Sequence, residues 1–298
     1  MPMPTNNYSG EERFVNPYTD FGFKKLFGTD MNKELLISFL NALFGDEQHV
    51  CDLTYLNNEH LGSYGGERRA IFDVYCENDK GEKFIVEMQN VYQQFFKDRS
   101  VFYSTFPIRE QAKRGDWDFE LTAVYTVGIL NFVFDEDRYS PDCYHHKVML
   151  MDVERKSIFY DKLTFIYLEM PKFMKGEHEL ESMFDKWMFV IKNLSRLLER
   201  PAALQERVFE HMFQAAEIAR FSPQELSLYE DSVKAYRDIN NAIVTARKEG
   251  MEKGMEEGME KGKQMEKIEI AKKLLGSGLP VDQVVQITGL SAEAIEKL

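Results

Sequence analysis

The sequence is poor in the residues that would hold a fold together through sulfur. Its three cysteines, Cys51, Cys76 and Cys143, are an odd number without CxxC spacing, which excludes a disulfide framework and a zinc cage as organising devices. They read as reduced structural thiols. The six histidines show no HExxH or comparable spacing. The adjacent His145 and His146 would point to opposite faces of a strand, so histidine-based metal chemistry is not expected. No apolar run reaches the ~18 residues that a membrane span needs. The opening MPMPTNNYSGEE has no basic segment followed by an apolar one, so a cytoplasmic protein without a membrane partner is expected. Positive charge is also short: 37 Lys and Arg stand against 50 Asp and Glu, a net charge of −13. That balance counts against loose coating of nucleic acid, which relies on cationic side chains displacing counterions from phosphates. The acid is unevenly spread, much of it in residues 77–87 and 249–260, which leaves room for a local basic groove.

What the chain does have is apolar material, 44% hydrophobic and 13% aromatic over 298 residues, enough for a large core and one or two domains. In TDFGFKKLFG and NKELLISFLNALFG, apolar residues recur at helical spacing (Leu35, Leu36, Phe39, Leu40, Leu43) and Gly45 stands where a helix would stop. ERRAIFDVYCE and EKFIVEMQ are β-rich runs joined by Asn78, Asp79, Lys80 and Gly81, a composition suited to a hairpin loop. Residues 91–115 predict a long amphipathic helix with Pro107 as a kink and Gly115 as a stop. ELTAVYTVGILNFVF, HKVMLMDV and KLTFIYLEM supply further strands, and helices are predicted over about 178–199, 201–221 and 223–249. The order implies a mixed-sheet α/β fold.

Gly250, Gly254, Gly258 and Gly262 then recur every four residues, one slowly drifting stripe if helical. Either a second chain packs along it or the segment is a charged linker. The last stretch alternates helix, GSGLP break, helix, TGLS break and helix, the rhythm of a small helix-turn-helix unit. Its middle helix VDQVVQIT has no Lys or Arg, so DNA contact and a helical oligomerisation cap both remain open.

In a strand over residues 69–77, alternation puts Ile71, Asp73 and Tyr75 on one face and Phe72, Val74 and Cys76 on the other. In the next strand Ile85, Glu87 and Gln89 share a face, and an antiparallel hairpin brings Asp73 near Glu87. Carboxylates projecting from neighbouring strands among apolar residues repel each other unless a cation neutralises them, a need that Mg²⁺ fits. An outward-facing polar row on a half-exposed hairpin is the alternative.

With TDFGFKKLFG, FDV around Asp73, VEMQ around Glu87 and Gln89, LEMPKF at 168–173, DKW at 185–187 and the glycine repeats, the chain resembles the PD-(D/E)XK nuclease superfamily. The type it resembles is the Rpn recombination-promoting nuclease or transposase. The resemblance implies a restriction-endonuclease-like α-β-β-β-α-β core over residues 1–175, a helical extension over 176–249, a glycine-repeat segment over 250–264 and a small helical tail over 265–298. It further implies a Mg²⁺-dependent DNA endonuclease in which Asp73, Glu87 and the carbonyl of Met88 hold the metal. Gln89 stands where the superfamily usually has lysine. An amide brings no charge and accepts no proton, so a catalytically weak or inactive DNA-binding or interaction module is the alternative. Asp20 would be a further acid, or a residue at a helix N-terminus. Arg99 would contact a DNA phosphate, or pair with a hairpin acid. Asp185, Lys186 and Trp187 are expected to pack the extension onto the core. A homo-oligomer held by the helical tail is also expected.

Overall fold

The computed structural model describes residues 12–57, 59–60, 70–112, 118–140 and 142–298. Two helices open the chain, α1 (Asp20–Phe27) and α2 (Lys33–Phe44). Thr19 caps α1, its hydroxyl accepting from the Gly22 N–H at 3.0 Å, the role expected of a threonine at that position. A side chain at Gly22 would lie 2.1 Å from the Asn16 carbonyl oxygen, which explains why this turn needs glycine. The strands β1 (Leu53–Tyr55), β2 (Glu59–His60), β3 (Ala70–Ile71), β4 (Val74–Asn78) and β5 (Lys83–Gln89) follow. Asn78 closes the β4–β5 turn: its Oδ1 accepts from the N–H groups of Lys80 and Glu82, and Gly81 takes φ +75°, a conformation glycine adopts without strain.

The next helix, α3 (Phe96–Glu110), is shorter than the periodicity predicts. It contains Pro107, while the expected stop at Gly115 lies outside the described residues. Then come β6 (Val124–Leu130), β7 (His145–Asp152) and β8 (Ser157–Glu169). Six strands form one sheet in the order β1-β4-β5-β6-β8-β7. β6 runs parallel to β5 and β8, and the remaining pairs are antiparallel. Ile85 of β5 packs with Phe106 of α3, and Phe84 meets Phe44 of α2 and stacks on Tyr125. The sheet is therefore covered on both faces, and alternation along β5 sends its polar residues toward α3.

Helices α4 (Met183–Asn193) and α5 (Arg207–Ala216) are shorter than predicted, whereas α6 (Pro223–Gly276) is much longer and passes through all four repeat glycines. Trp187 of α4 is fully buried among Phe27, Phe39 and Phe209, and its indole N–H donates to the Ser38 hydroxyl at 3.2 Å. Ser182 caps α4 in a capping box with Asp185, which also pairs with Lys175 at 2.8 Å, and Lys186 pairs with Glu206. The DKW segment does the packing work expected of it. The start of α6 latches α1: Phe21 N–H donates to the Ser232 hydroxyl at 3.0 Å, and Lys25 pairs with Glu225.

By internal contacts the chain forms one unit up to Lys234 and another from Ala235. Within the second, α7 (Val281–Thr288) and α8 (Ala292–Glu296) fold with the end of α6 around Ala271, Val284, Leu290 and Ile295. Gly289 ends α7 with φ +68°, a left-handed cap. Among the described residues no helix is long and apolar enough to cross a membrane.

Candidate active site

Alternation alone does not place Asp73. The structure corrects the expected regular strand over residues 69–77, of which Arg69 lies outside the described residues. β3 ends at Ile71, β4 begins at Val74, and Phe72 joins Tyr75, Ile85 and Phe106 in one apolar cluster. The strand breaks at Asp73 because the Asp73 carboxylate itself enters the ladder: its Oδ2 accepts from the Met88 N–H at 2.8 Å, a charge-assisted bond. Val74 lies opposite Val86 in the hairpin, so Asp73, immediately before β4, stands beside Glu87 of β5.

Glu87 is only 9% exposed. Burial, and then the nearby Asp73, push its carboxyl up to about 8, against the opposing pull of the Arg99 guanidinium. Asp73 is also raised by burial. The Met88 N–H, Lys24 and Arg99 oppose that shift, and Asp20 adds to it. Two acids side by side, both drawn toward the protonated form, are residues that could hold a cation. Their oxygens suit a hard divalent ion such as Mg²⁺.

Gln89, one step along the same face, has both ends of its amide engaged. Its Nε2 donates to the Val91 carbonyl at 2.8 Å, and its Oε1 accepts from Arg99 at 2.5 Å. Arg99 reaches down from α3, also lies 3.4 Å from Glu87 Oε2, and donates to Gln93 at 2.7 Å. Of its two expected readings, Arg99 thus shows the pairing with a hairpin acid, Glu87. Asp20 is the first residue of α1, is exposed, and pairs with Lys24 at 2.7 Å, while Thr19 does the capping. Gly128 on β6 lies beside Glu87, and a Cβ there would press on Tyr167 and Phe96 at 3.2–3.3 Å.

Other participants are not evident from sequence spacing. Lys24 acts on Asp73 from α1, where its i,i+4 relation to Asp20 is the available signal. Tyr103, raised by burial and by Glu87, lies under the Arg99 guanidinium. Asn90 ties the end of β5 to the turn before α1, donating to the Tyr18 carbonyl at 2.5 Å. Gln111, at the far end of α3, accepts from the Thr122 N–H and takes no part. The three cysteines are free, Cys76 buried and Cys51 and Cys143 exposed. His145 and His146 fall on opposite faces as expected, His145 against Phe184. His146, however, meets Asp137 and Glu169 at the end of β8, a histidine cluster that motif spacing does not reveal.

A family model described as PD-(D/E)XK nuclease family transposase matches residues 17–246. A second, described as Rpn/YhgA-like nuclease family, C-terminal HTH domain, matches residues 264–298. No curated protein and no solved structure gives a significant match. The first match takes in α1, the hairpin with its two buried acids, α3 and the rest of the mixed sheet, and so the chain belongs to the PD-(D/E)XK nuclease family transposases.

Proposed function

We propose that this chain is a Mg²⁺-dependent DNA endonuclease acting in the cytoplasm, hydrolysing phosphodiester bonds to leave 5′-phosphate and 3′-hydroxyl ends. The observation that carries the reading is the buried Asp73–Glu87 pair, whose raised protonation a cation would relieve. Asp73, Glu87 and the Met88 carbonyl would hold the ion. When bound, it would activate a water and stabilise charge on the scissile phosphate. Asp20 adds a third acid at the rim, and Arg99 contacts the phosphate.

Arg99 also answers the difficulty posed by Gln89. A lysine at that position would bring a cation from β5; here the Gln89 amide holds the Arg99 guanidinium at the same edge of the sheet. Arg99→Ala is accordingly expected to lower the plateau cleavage rate by about tenfold or more, ~1.4 kcal/mol of barrier. Adding Gln89→Lys in that background should recover the loss. Gln89→Lys alone gains little, since it removes the acceptor of Arg99 and sets a second cation against it. Plateau rates on plasmid DNA across a Mg²⁺ titration decide the matter; a double variant as slow as Arg99→Ala removes the charge-supply role.

A second reading, a catalytically weak or inactive DNA-binding or interaction module, is favoured by the absence of an amine at Gln89. The helix-turn-helix match suggests a DNA contact under either reading. The tail supports a homo-oligomer. In α6 nothing lies within 4 Å of a Cβ built on Gly250, Gly254, Gly258 or Gly262, while each interior glycine costs ~1 kcal/mol of helix stability. A second copy approaching along that stripe would offset the cost. Deleting residues 250–298 should lower the number of chains per particle, read by light scattering against the mass of the shortened chain, while cleavage remains detectable; an unchanged number makes the repeat a linker.

A further inference from the structure

We infer a second metal site, formed by Asp137, His146 and Glu169 and suited to a divalent transition ion such as Zn²⁺. Three separate parts of the fold converge there. Glu169 is the last residue of β8, His146 lies opposite Tyr167 on the edge strand β7, and Asp137 sits in the turn that follows β6. The His146 Nε2 atom is 3.4 Å from Glu169 Oε2 and 3.7 Å from Asp137 Oδ2, and the three ligand atoms all lie within 4.8 Å of one another. Donors bound at the ~2.0–2.2 Å typical of zinc in a tetrahedron are ~3.4 Å apart. The side chains thus already stand at ligand spacing.

His146 Nε2 is buried without a hydrogen-bond partner, and Glu169, 0% exposed, has its Oε2 matched by the Lys172 ammonium at 2.6 Å. Buried polar atoms are ordinarily satisfied, and leaving one without a partner is costly. A coordinated ion satisfies the imidazole nitrogen and binds the carboxylate beside it. The outer contacts have the form that orients ligands: the other Glu169 oxygen accepts from the Phe134 N–H at 2.6 Å, and the far nitrogen of His146, Nδ1, lies 3.8 Å from Cys143 Sγ.

Lys172 is the resident counter-charge, its Nζ 2.6 Å from Glu169 Oε2 and 2.9 Å from the Cys143 carbonyl. An ammonium reaches one of the three ligands, whereas a divalent ion bound to all three would take its place at Glu169. The imidazole selects against Mg²⁺, which prefers oxygen, and toward zinc-like ions. Gln89, Leu130 and Glu169 lie in one row across β5, β6 and β8. Two strand spacings, ~10 Å, therefore separate this cluster from the candidate active site, with Leu130 between.

The test is Zn²⁺ titration by calorimetry on chelator-treated full-length protein carrying Asp73→Ala and Glu87→Ala, which silences the other site. One equivalent of Zn²⁺ should bind. Adding His146→Asn or, independently, the milder Asp137→Asn should each weaken binding at least tenfold with an unchanged circular dichroism spectrum. The inference is overturned if the background protein binds no Zn²⁺, or if both variants bind it as tightly as the background.

Discussion

Asp73→Ala and Glu87→Ala are each expected to abolish Mg²⁺-dependent DNA cleavage, lowering the rate by roughly a thousandfold or more, ~4 kcal/mol of barrier. Each removes an anionic oxygen donor from one cation site and leaves the apolar clusters intact. Their effects on stability should have opposite signs. Asp73→Ala deprives the Met88 N–H of its acceptor, an unmade buried bond worth ~1–3 kcal/mol. Glu87→Ala takes away a buried acid that the metal-free fold holds at a cost. Loss of cleavage in both variants, with melting shifts of opposite direction, separates a catalytic role from a structural one. If either variant cuts as fast as the parent, the pair is not the active site.

The second large effect is on pH-dependent stability. The Glu87 carboxyl is raised to about 8 in the metal-free fold from an ordinary 4.5. Between those values the folded protein retains a proton that the unfolded chain releases, so stability falls as pH rises through this window and levels off above it. Glu87→Gln keeps the shape and removes the charge. In chelator it should match the parent near pH 4.5 and exceed it by a few kcal/mol at pH 8.5, since each tenfold in proton affinity is worth ~1.4 kcal/mol. For a chain of this size the gain is several degrees of melting temperature. Adding Mg²⁺ should reverse the order, stabilising the parent and leaving the variant unmoved. A variant with no advantage at pH 8.5 would show that Glu87 is not strained in the metal-free fold.

The parts of the fold legible in the sequence are those governed by local periodicity. Leu35, Leu36, Phe39, Leu40 and Leu43 mark α2, and all are buried. Asn78 and Gly81 announce the hairpin turn, and the alternation of Phe84, Glu87 and Gln89 assigns the faces of β5. Asp73 escapes that logic because a side-chain bond to Met88, invisible to a period of two, ends the strand beside it. The helix over residues 223–249 continues to Gly276 because nothing in the repeat other than glycine's weak propensity opposes it.

Long-range geometry is the part that spacing could not supply. Gln89 reads in the sequence as a lost cation, yet the guanidinium of Arg99, ten residues on, is bound to its amide. His146 reads as a strand residue separated from its neighbour. Parallel pairing of β6 with β8 and the antiparallel return of β7 bring it to Glu169 and Asp137, which lie 23 residues ahead and 9 behind it in the chain.

The most direct test of the account is whether the purified protein nicks supercoiled plasmid. With Mg²⁺ the open-circular form should accumulate, with ends that ligase reseals, as 5′-phosphate and 3′-hydroxyl termini require, and chelator should stop the reaction. Supercoiled DNA left intact across a full Mg²⁺ titration, or nicking that persists undiminished in Asp73→Ala, would contradict it.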